Sequence, residues 1–223
     1  ANSAALSLPY QNTYSTEEIF IRIENNANAN CFDTTSFTLN VFDTPIANIV
    51  GTVEECDDLD DGDDANGQKE IDLTAFDSDV LDTQDATFFS VSYHLTQDDA
   101  DSNTGALPSP YYNTTAFSYQ VFARIENNLK TDCYDTTEFT VNIYAAPKAN
   151  LVSDLFECDD DNDGVLSFDF TVPQAQVFGA QLATDFTVSY HLSQDDAEAN
   201  SAALSLPYQN TYSTEEIFIR IEN

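Results

Sequence analysis

Positive charge is scarce in this chain of 223 residues. Six Lys and Arg stand against 40 Asp and Glu, a formal charge of −34. That balance excludes non-specific binding to nucleic acid, whose phosphates would be repelled, and works against docking on anionic lipid. Long apolar runs are absent too. No stretch nears the ~18 residues that cross a bilayer, so no membrane insertion is expected. An initiator Met is missing, and residues 1–30 carry no signal-peptide pattern. There is no GxSxG, and no CxxC or Cys/His metal spacing. There is no room for the long helical crossovers of a parallel α/β fold. Core-forming residues are not scarce: 42% of the chain is hydrophobic, with 16 Phe and 11 Tyr, which argues against disorder.

Repetition dominates what is present. Residues 1–25 recur without change as residues 199–223, at an offset of 198. VFARIENN at Val121–Asn128 echoes IFIRIENN at Ile19–Asn26, and DTTEFTVNIY at Asp135–Tyr144 echoes DTTSFTLNVF at Asp33–Phe42, both at an offset of 102. SVSYHLTQDDA at Ser90–Ala100 returns as TVSYHLSQDDA at Thr187–Ala197. The repeating unit is therefore about 100 residues long. Its register predicts the C-terminal half of one repeat at 1–43, a complete repeat at 44–147 and the N-terminal part of another at 148–223. Half a sandwich leaves strand edges open, so the sequence reads as a window on a longer chain.

Period-2 alternation runs through nearly every segment: Ile19, Ile21 and Ile23; Phe37, Leu39 and Val41; Phe89, Val91, Tyr93 and Leu95; Phe117, Tyr119, Val121, Ala123 and Ile125. This is the pattern of half-buried strands, and Asp61-Gly62, Asn66-Gly67, Pro108–Pro110 and Asp163-Gly164 punctuate them as turns. Only Asp98–Ser102 and Thr171–Phe178 could hold a helical turn. The prediction is an all-β protein of tandem immunoglobulin-like β-sandwich repeats.

Cysteines and carboxylates carry the chemistry. Cys31 and Cys133 are equivalent, as are Cys56 and Cys158, giving two per repeat, which reads as a disulfide framework in an oxidising compartment. The expected pair is Cys56–Cys133 within the repeat, leaving Cys31 and Cys158 to partners outside the window. The rival is Cys31–Cys56 across the repeat boundary. After Cys158, the run DDDNDG sets Asp159, Asp161 and Asp163 at positions 1, 3 and 5 of a calcium-type loop, with Gly164 at position 6 for the sharp turn and the Val165 carbonyl next. The terminal Glu is missing; Phe170 stands in its place and Asp169 beside it. In the sister loop, Cys56–Gly67, Asp57 and Asp61 remain, with Asp72 nearby, while Leu59 occupies the place aligned with Asp161. Carboxylates this crowded repel one another unless a cation screens them, so Ca2+ is the expected cofactor.

Other recurring residues read as structural. His94 and His191 have no positioned nucleophile or acid partner. The pairs Asp98-Asp99 and Asp195-Asp196 fit a turn or helix start. Arg22, Arg124 and Arg220 fit ion pairs or stacking on sheet aromatics. Asn113-Thr114-Thr115 is a formal N-glycosylation sequon.

Taken together, Cys158–Gly164, Val188–Ala197, Pro207–Thr211, Ile217–Asn223, Cys133–Val141 and Pro147 resemble the repeats of giant secreted proteins of Bacteroidota. The resemblance spans nearly the whole chain. It implies surface adhesins or extracellular filaments exported by the type IX secretion system. It also marks Thr34 and Thr136, in their Asp-Thr-Thr contexts, as glycosylation candidates.

The expected function is structural: stalk or fibre modules of a very large adhesin at the bacterial cell surface, serving attachment or contact, with neighbouring repeats as partners and a lateral homo-oligomer as a possible assembly. An enzyme is not expected, because no complete catalytic constellation occurs. The alternative is a module that grips a surface glycan or protein through its loops. Binding tips usually diverge between copies, whereas residues 1–25 and 199–223 are identical, which marks those segments as scaffold.

Overall fold

Alternating β-branched and aromatic residues favour extended backbone, and strands dominate the structure. The computed structural model describes residues 5–159 and 161–223; residues 1–4 of the exact repeat and Asp160 of the acidic motif lie outside them. The strands are β1 Thr16–Asn25, β2 Asn28–Asn40, β3 Val53–Cys56, β4 Glu70–Ile71, β5 Phe89–His94, β6 Tyr111–Tyr112, β7 Ser118–Asn127, β8 Lys130–Tyr144, β9 Ser167–Phe168, β10 Thr187–His191, β11 Tyr208–Gln209 and β12 Phe218–Glu222. Between them lie short helices: α1 Asp77–Leu81, α2 Gln97–Ser102, α3 Thr171–Phe178 and α4 Gln194–Glu198. The fold is all-β, as the alternation predicts. Among the described residues no helix is long and apolar enough to cross a membrane.

The largest sheet has the order β3–β8–β7–β5, and β1–β2, β4–β6, β9–β11 and β10–β12 form two-stranded pairs. β5 runs antiparallel to β7 with Phe89 opposite Asn127 and His94 opposite Phe122. β10 meets β12 in the same way, Thr187 opposite Glu222. Of the alternating set, Tyr119, Val121, Ala123 and Ile125 on β7 are buried, while Phe117, just before the strand, is 51% exposed; on β8 Phe139, Val141 and Ile143 are buried. In the β1–β2 hairpin the matching positions are open. Ile23 is 71% exposed, whereas Ile125, at the same place in the later copy, is fully buried.

The helices begin where side chains can satisfy their first amides. The Thr96 hydroxyl accepts from the Asp99 N–H and donates to the Asp99 carboxylate, and Ser193 does the same with Asp196. Each is an N-cap whose hydroxyl is held in turn by the Asp at the third helical position, which gives the second Asp of each pair its role. α2 and α3 fall where helical turns were expected. α4 opens at the Asp195-Asp196 pair read as a turn or helix start, and α1 was not foreseen.

The chain divides into two compact units, Ala1–Val53 with Ile71–Tyr111 and Gln120–Thr140, and Glu54–Glu70 with Tyr112–Tyr119 and Val141–Asn223. In the first, the Phe139 ring lies 5.3 Å from Phe76 and 6.3 Å edge-on from Tyr93. Burial, then the hydrogen bond to Asp77, pushes the Tyr93 hydroxyl well above its ordinary range. In the second, Phe170 packs 4.7 Å from Tyr190 and 6.0 Å from Tyr208.

Candidate functional site: acidic loops and cysteines

The shorter acidic loop is wound around Asp159. One oxygen of its carboxylate accepts from the amides of Asp161 at 3.2 Å and Asn162 at 2.9 Å, the other from Gly164 at 2.5 Å. These bonds, above all the one from Gly164, hold the Asp159 carboxyl below its usual range. Asn162 and Gly164 take positive φ, 62° and 83°, so the turn can fold this tightly. Asp161 accepts from the Asp163 amide, and Asp163 from the amide of Val165. Carboxylate oxygens of Asp159, Asp161 and Asp163 lie within 4.8 Å of one another, and among the described residues this is the one such acidic cluster. Asp169 is not part of it: it accepts from the Thr171 amide and hydroxyl and starts α3.

A residue that sequence reasoning passed over fixes the loop's exit. The Asn210 side chain donates to the Gly164 carbonyl at 2.9 Å and accepts from the Leu166 amide at 2.6 Å. Asn113 does the same for the longer loop, donating to the Gly67 carbonyl at 2.9 Å and accepting from the Lys69 amide at 2.7 Å. Asn113 is fully buried with both ends of its amide engaged, so its sequon describes a structural clamp. The recurrence of this Asn in the PY-NT segment was the available signal.

The clamps realign the two loops. Gly67, not Gly62, matches Gly164, and Lys69 matches Leu166. Asp57 is buried, accepting from the amides of Gly67 and Asp58. Asp61 accepts from the Tyr112 hydroxyl and the Asn66 amide, both at 2.6 Å. Asp72 caps a 3-10 turn, accepting from Thr74 and Ser109. Asp57, Asp61 and Asp72 therefore do not converge as a ligand set. Positive charge comes from within this loop instead: the Lys69 ammonium donates to the Cys56 carbonyl at 2.7 Å and lies 3.2 Å from Glu55 and 3.7 Å from Asp58. The shorter loop has Leu166 there.

The Tyr112–Asp61 bond gives a pH prediction. It pushes the Tyr112 hydroxyl up to about 12 and holds Asp61 below the usual carboxylate range. A raised tyrosine stabilises fully below its unfolded value near 10 and loses that contribution as pH rises toward 12. A depressed carboxylate stabilises above ~4 and loses it as pH falls further. Spectrophotometric titration is expected to show that Tyr112→Phe removes one late-titrating tyrosine and leaves those near 10 unchanged. Loss of a tyrosine titrating near 10 instead would show that this bond is not made in solution.

All four cysteines are free, and Cys31, Cys56 and Cys158 are exposed. The expected Cys56–Cys133 bond is not formed, and strand geometry opposes it. The Asp57 amide donates to the Tyr144 carbonyl, placing Cys56 beside the end of β8. Cys133 lies eleven residues earlier on that strand, about 36 Å away at ~3.3 Å per residue. A disulfide needs Cα atoms within ~7 Å. Cys31 and Cys133 each follow their hairpin turn closely, and on β8 Cys133 is at the opposite end from the Tyr144 that Asp57 engages.

The remaining candidates sit apart. Thr34 is exposed, opposite Arg22 in the β1–β2 register. The Thr136 hydroxyl accepts from Gln97 at 3.0 Å. His94 and His191 are fully buried, each Nδ1–H donating to a carbonyl (Thr104, Ser201) and each Nε2 hydrogen-bonded to a serine hydroxyl (Ser92, Ser189). Both nitrogens of each ring are engaged within the fold, which is a structural arrangement.

A family model described as the Flavobacterium inter-domain disulphide bond domain (FIDD) matches residues 1–45, 52–147 and 154–223. No curated protein and no solved structure matches the chain.

Proposed function

This chain belongs to the Flavobacterium inter-domain disulphide bond domain family, and on that footing we propose that it is a run of immunoglobulin-like modules from the stalk of a large surface adhesin or filament, exported by the type IX system. The family's description makes it a structural module of a multi-domain protein whose nearest partners are the neighbouring domains of the same chain, in keeping with a Bacteroidota origin. The stalk role, the extracellular location and the absence of catalysis are our reading. Its main support is the placement of Cys133 just after the β7–β8 turn and of the exposed Cys56 beside the opposite end of β8. A module with one thiol at each end can be riveted to the next on either side.

The pairing that follows is end to end. Cys56 takes the cysteine six residues beyond the RIEN asparagine of the next module, the spacing seen from Asn25 to Cys31 and from Asn127 to Cys133. The Asn223 side chain, at the equivalent asparagine, donates to the Ala145 carbonyl, next to the Tyr144 that Asp57 engages. Peptide mapping of the natural protein without reductant is expected to recover Cys56 linked to that downstream cysteine. A Cys56–Cys133 or Cys31–Cys56 peptide would overturn the assignment.

We also assign calcium to Asp159, Asp161 and Asp163, with the Val165 carbonyl following. The support is their proximity and the absence of any ammonium where the longer loop has Lys69.

A further inference from the structure

Modules joined by a linker move independently unless the linker itself is held. Here it is held from both sides, residue by residue. The Tyr144 carbonyl accepts from the Asp57 amide at 2.7 Å. The Ala145 carbonyl accepts from Asn223 at 2.8 Å. The Ala146 amide donates to the Asp64 carbonyl at 2.7 Å. Lys148 is gripped at both its groups by Gln181, whose amide side chain accepts from the Lys148 N–H at 2.8 Å and donates to its carbonyl at 2.6 Å. Asp57 and Asp64 belong to the acidic loop of the middle stretch. Asn223 and Gln181 belong to the last stretch.

The side-chain amide half of this device recurs one repeat earlier. Asn127 donates to the Asp43 carbonyl at 3.0 Å, and Gln84 grips Ile46 at 2.9 and 2.7 Å. The Asn48 amide then donates to the Val80 carbonyl, as Asn150 does to Val177. A primary-amide side chain carries one acceptor and two donors, so it can pair with a peptide group as a neighbouring strand would.

We propose that the longer acidic loop, Asp57–Gly67, is the docking surface for the linker of the following module, and that hydrogen bonds from both sides along Tyr144–Lys148 lock this junction without any disulfide. The loop's backbone makes the contacts. Its carboxylates fold it: Asp57 closes it onto Gly67, and Lys69 ties its base to Cys56. Order in the loop thereby becomes order in the junction. This differs from the rivet role of the cysteines and is tested without them.

The measurement is amide hydrogen exchange by NMR on the whole chain, fully reduced. The Ala146 and Lys148 amides are expected to exchange at least ~100-fold more slowly than free peptide. In Asp57→Ala the Ala146 amide should come within about tenfold of the free rate, while Val121 and Ile125 in β7 keep their protection. Gln181→Ala, which leaves the loop untouched, should release Lys148 in the same way. Free-peptide exchange at Ala146 in the unmodified chain would overturn the proposal. So would variants that speed Val121 and Ile125 as much as the linker, because the loop would then serve global folding and not the junction.

Discussion

Arg124→Ala is expected to destabilise the protein by about 3–5 kcal/mol, the range for removing one partner of a buried charge pair. The Arg124 side chain is 3% exposed and its Nε donates to Glu126 at 2.8 Å. One terminal nitrogen donates to the Ala100 and Asp101 carbonyls at the end of α2, and the other to the Thr131 carbonyl at 2.6 Å. The guanidinium also lies 3.7 Å from the centre of the Tyr134 ring. Alanine would remove the buried charged partner of Glu126, which keeps its bond from Asn103, and release the Asp101 and Thr131 carbonyls from the guanidinium. Lysine would keep the charge but lose the fork, and should recover less than half of the loss.

Arg22 provides the internal control. It stands in the same RIEN motif, reaches Glu24 at 3.0 Å and lies over Phe32, yet its side chain is 45% exposed. An exposed pair contributes ~0–1 kcal/mol, so Arg22→Ala should barely move the urea midpoint. Equal costs for the two substitutions would show that burial does not set the value of this arginine.

Calcium addition should raise thermal stability by several degrees, with no matching effect of magnesium. A ligand that binds only the folded state at a hundredfold excess over Kd contributes about 2.7 kcal/mol. Calcium accepts irregular oxygen cages, while magnesium requires a tight octahedron, which a loop with three clustered carboxylates and no terminal Glu does not offer. Asp161→Ala should abolish the response. Its carboxylate makes one bond within the loop, from the Asp163 amide, whereas Asp159 organises the turn. Scanning calorimetry at fixed ionic strength separates specific binding from screening. An Asp161→Ala chain that still responds, or a parent chain that does not, would remove calcium from Asp159–Val165.

The strands were legible because alternation reports burial: Tyr119, Val121, Ala123 and Ile125 are buried, and of that set Phe117, ahead of the strand, is exposed. α1 was not legible, since Asp77–Leu81 is too short for a helical period and is held by burial of Val80 and Leu81. The acidic loop at Asp159 could be read because its ligands are consecutive. The longer loop could not, because its closure at Gly67 is set by Asn113, 46 residues further on. Cysteine pairing failed for a related reason. Spacing gives separation along the chain, and nothing in it says at which end of a fifteen-residue strand each thiol sits.

The alternation of partners along Tyr144–Ala146 also bears on how such a chain can lengthen. Neighbouring peptide groups on an extended segment point opposite ways, and shifting the segment by one residue reverses every one of them. One inserted or deleted residue would offer Asp57 and Asp64 the groups that Asn223 now holds. Asn40 to Ile46 and Asn142 to Lys148 span the same number of residues. Growth by unequal crossing-over is then viable only with the linker length kept, while the acidic loop, five residues longer from Asp57 to Gly67 than from Asp159 to Gly164, is where repeats can differ in length.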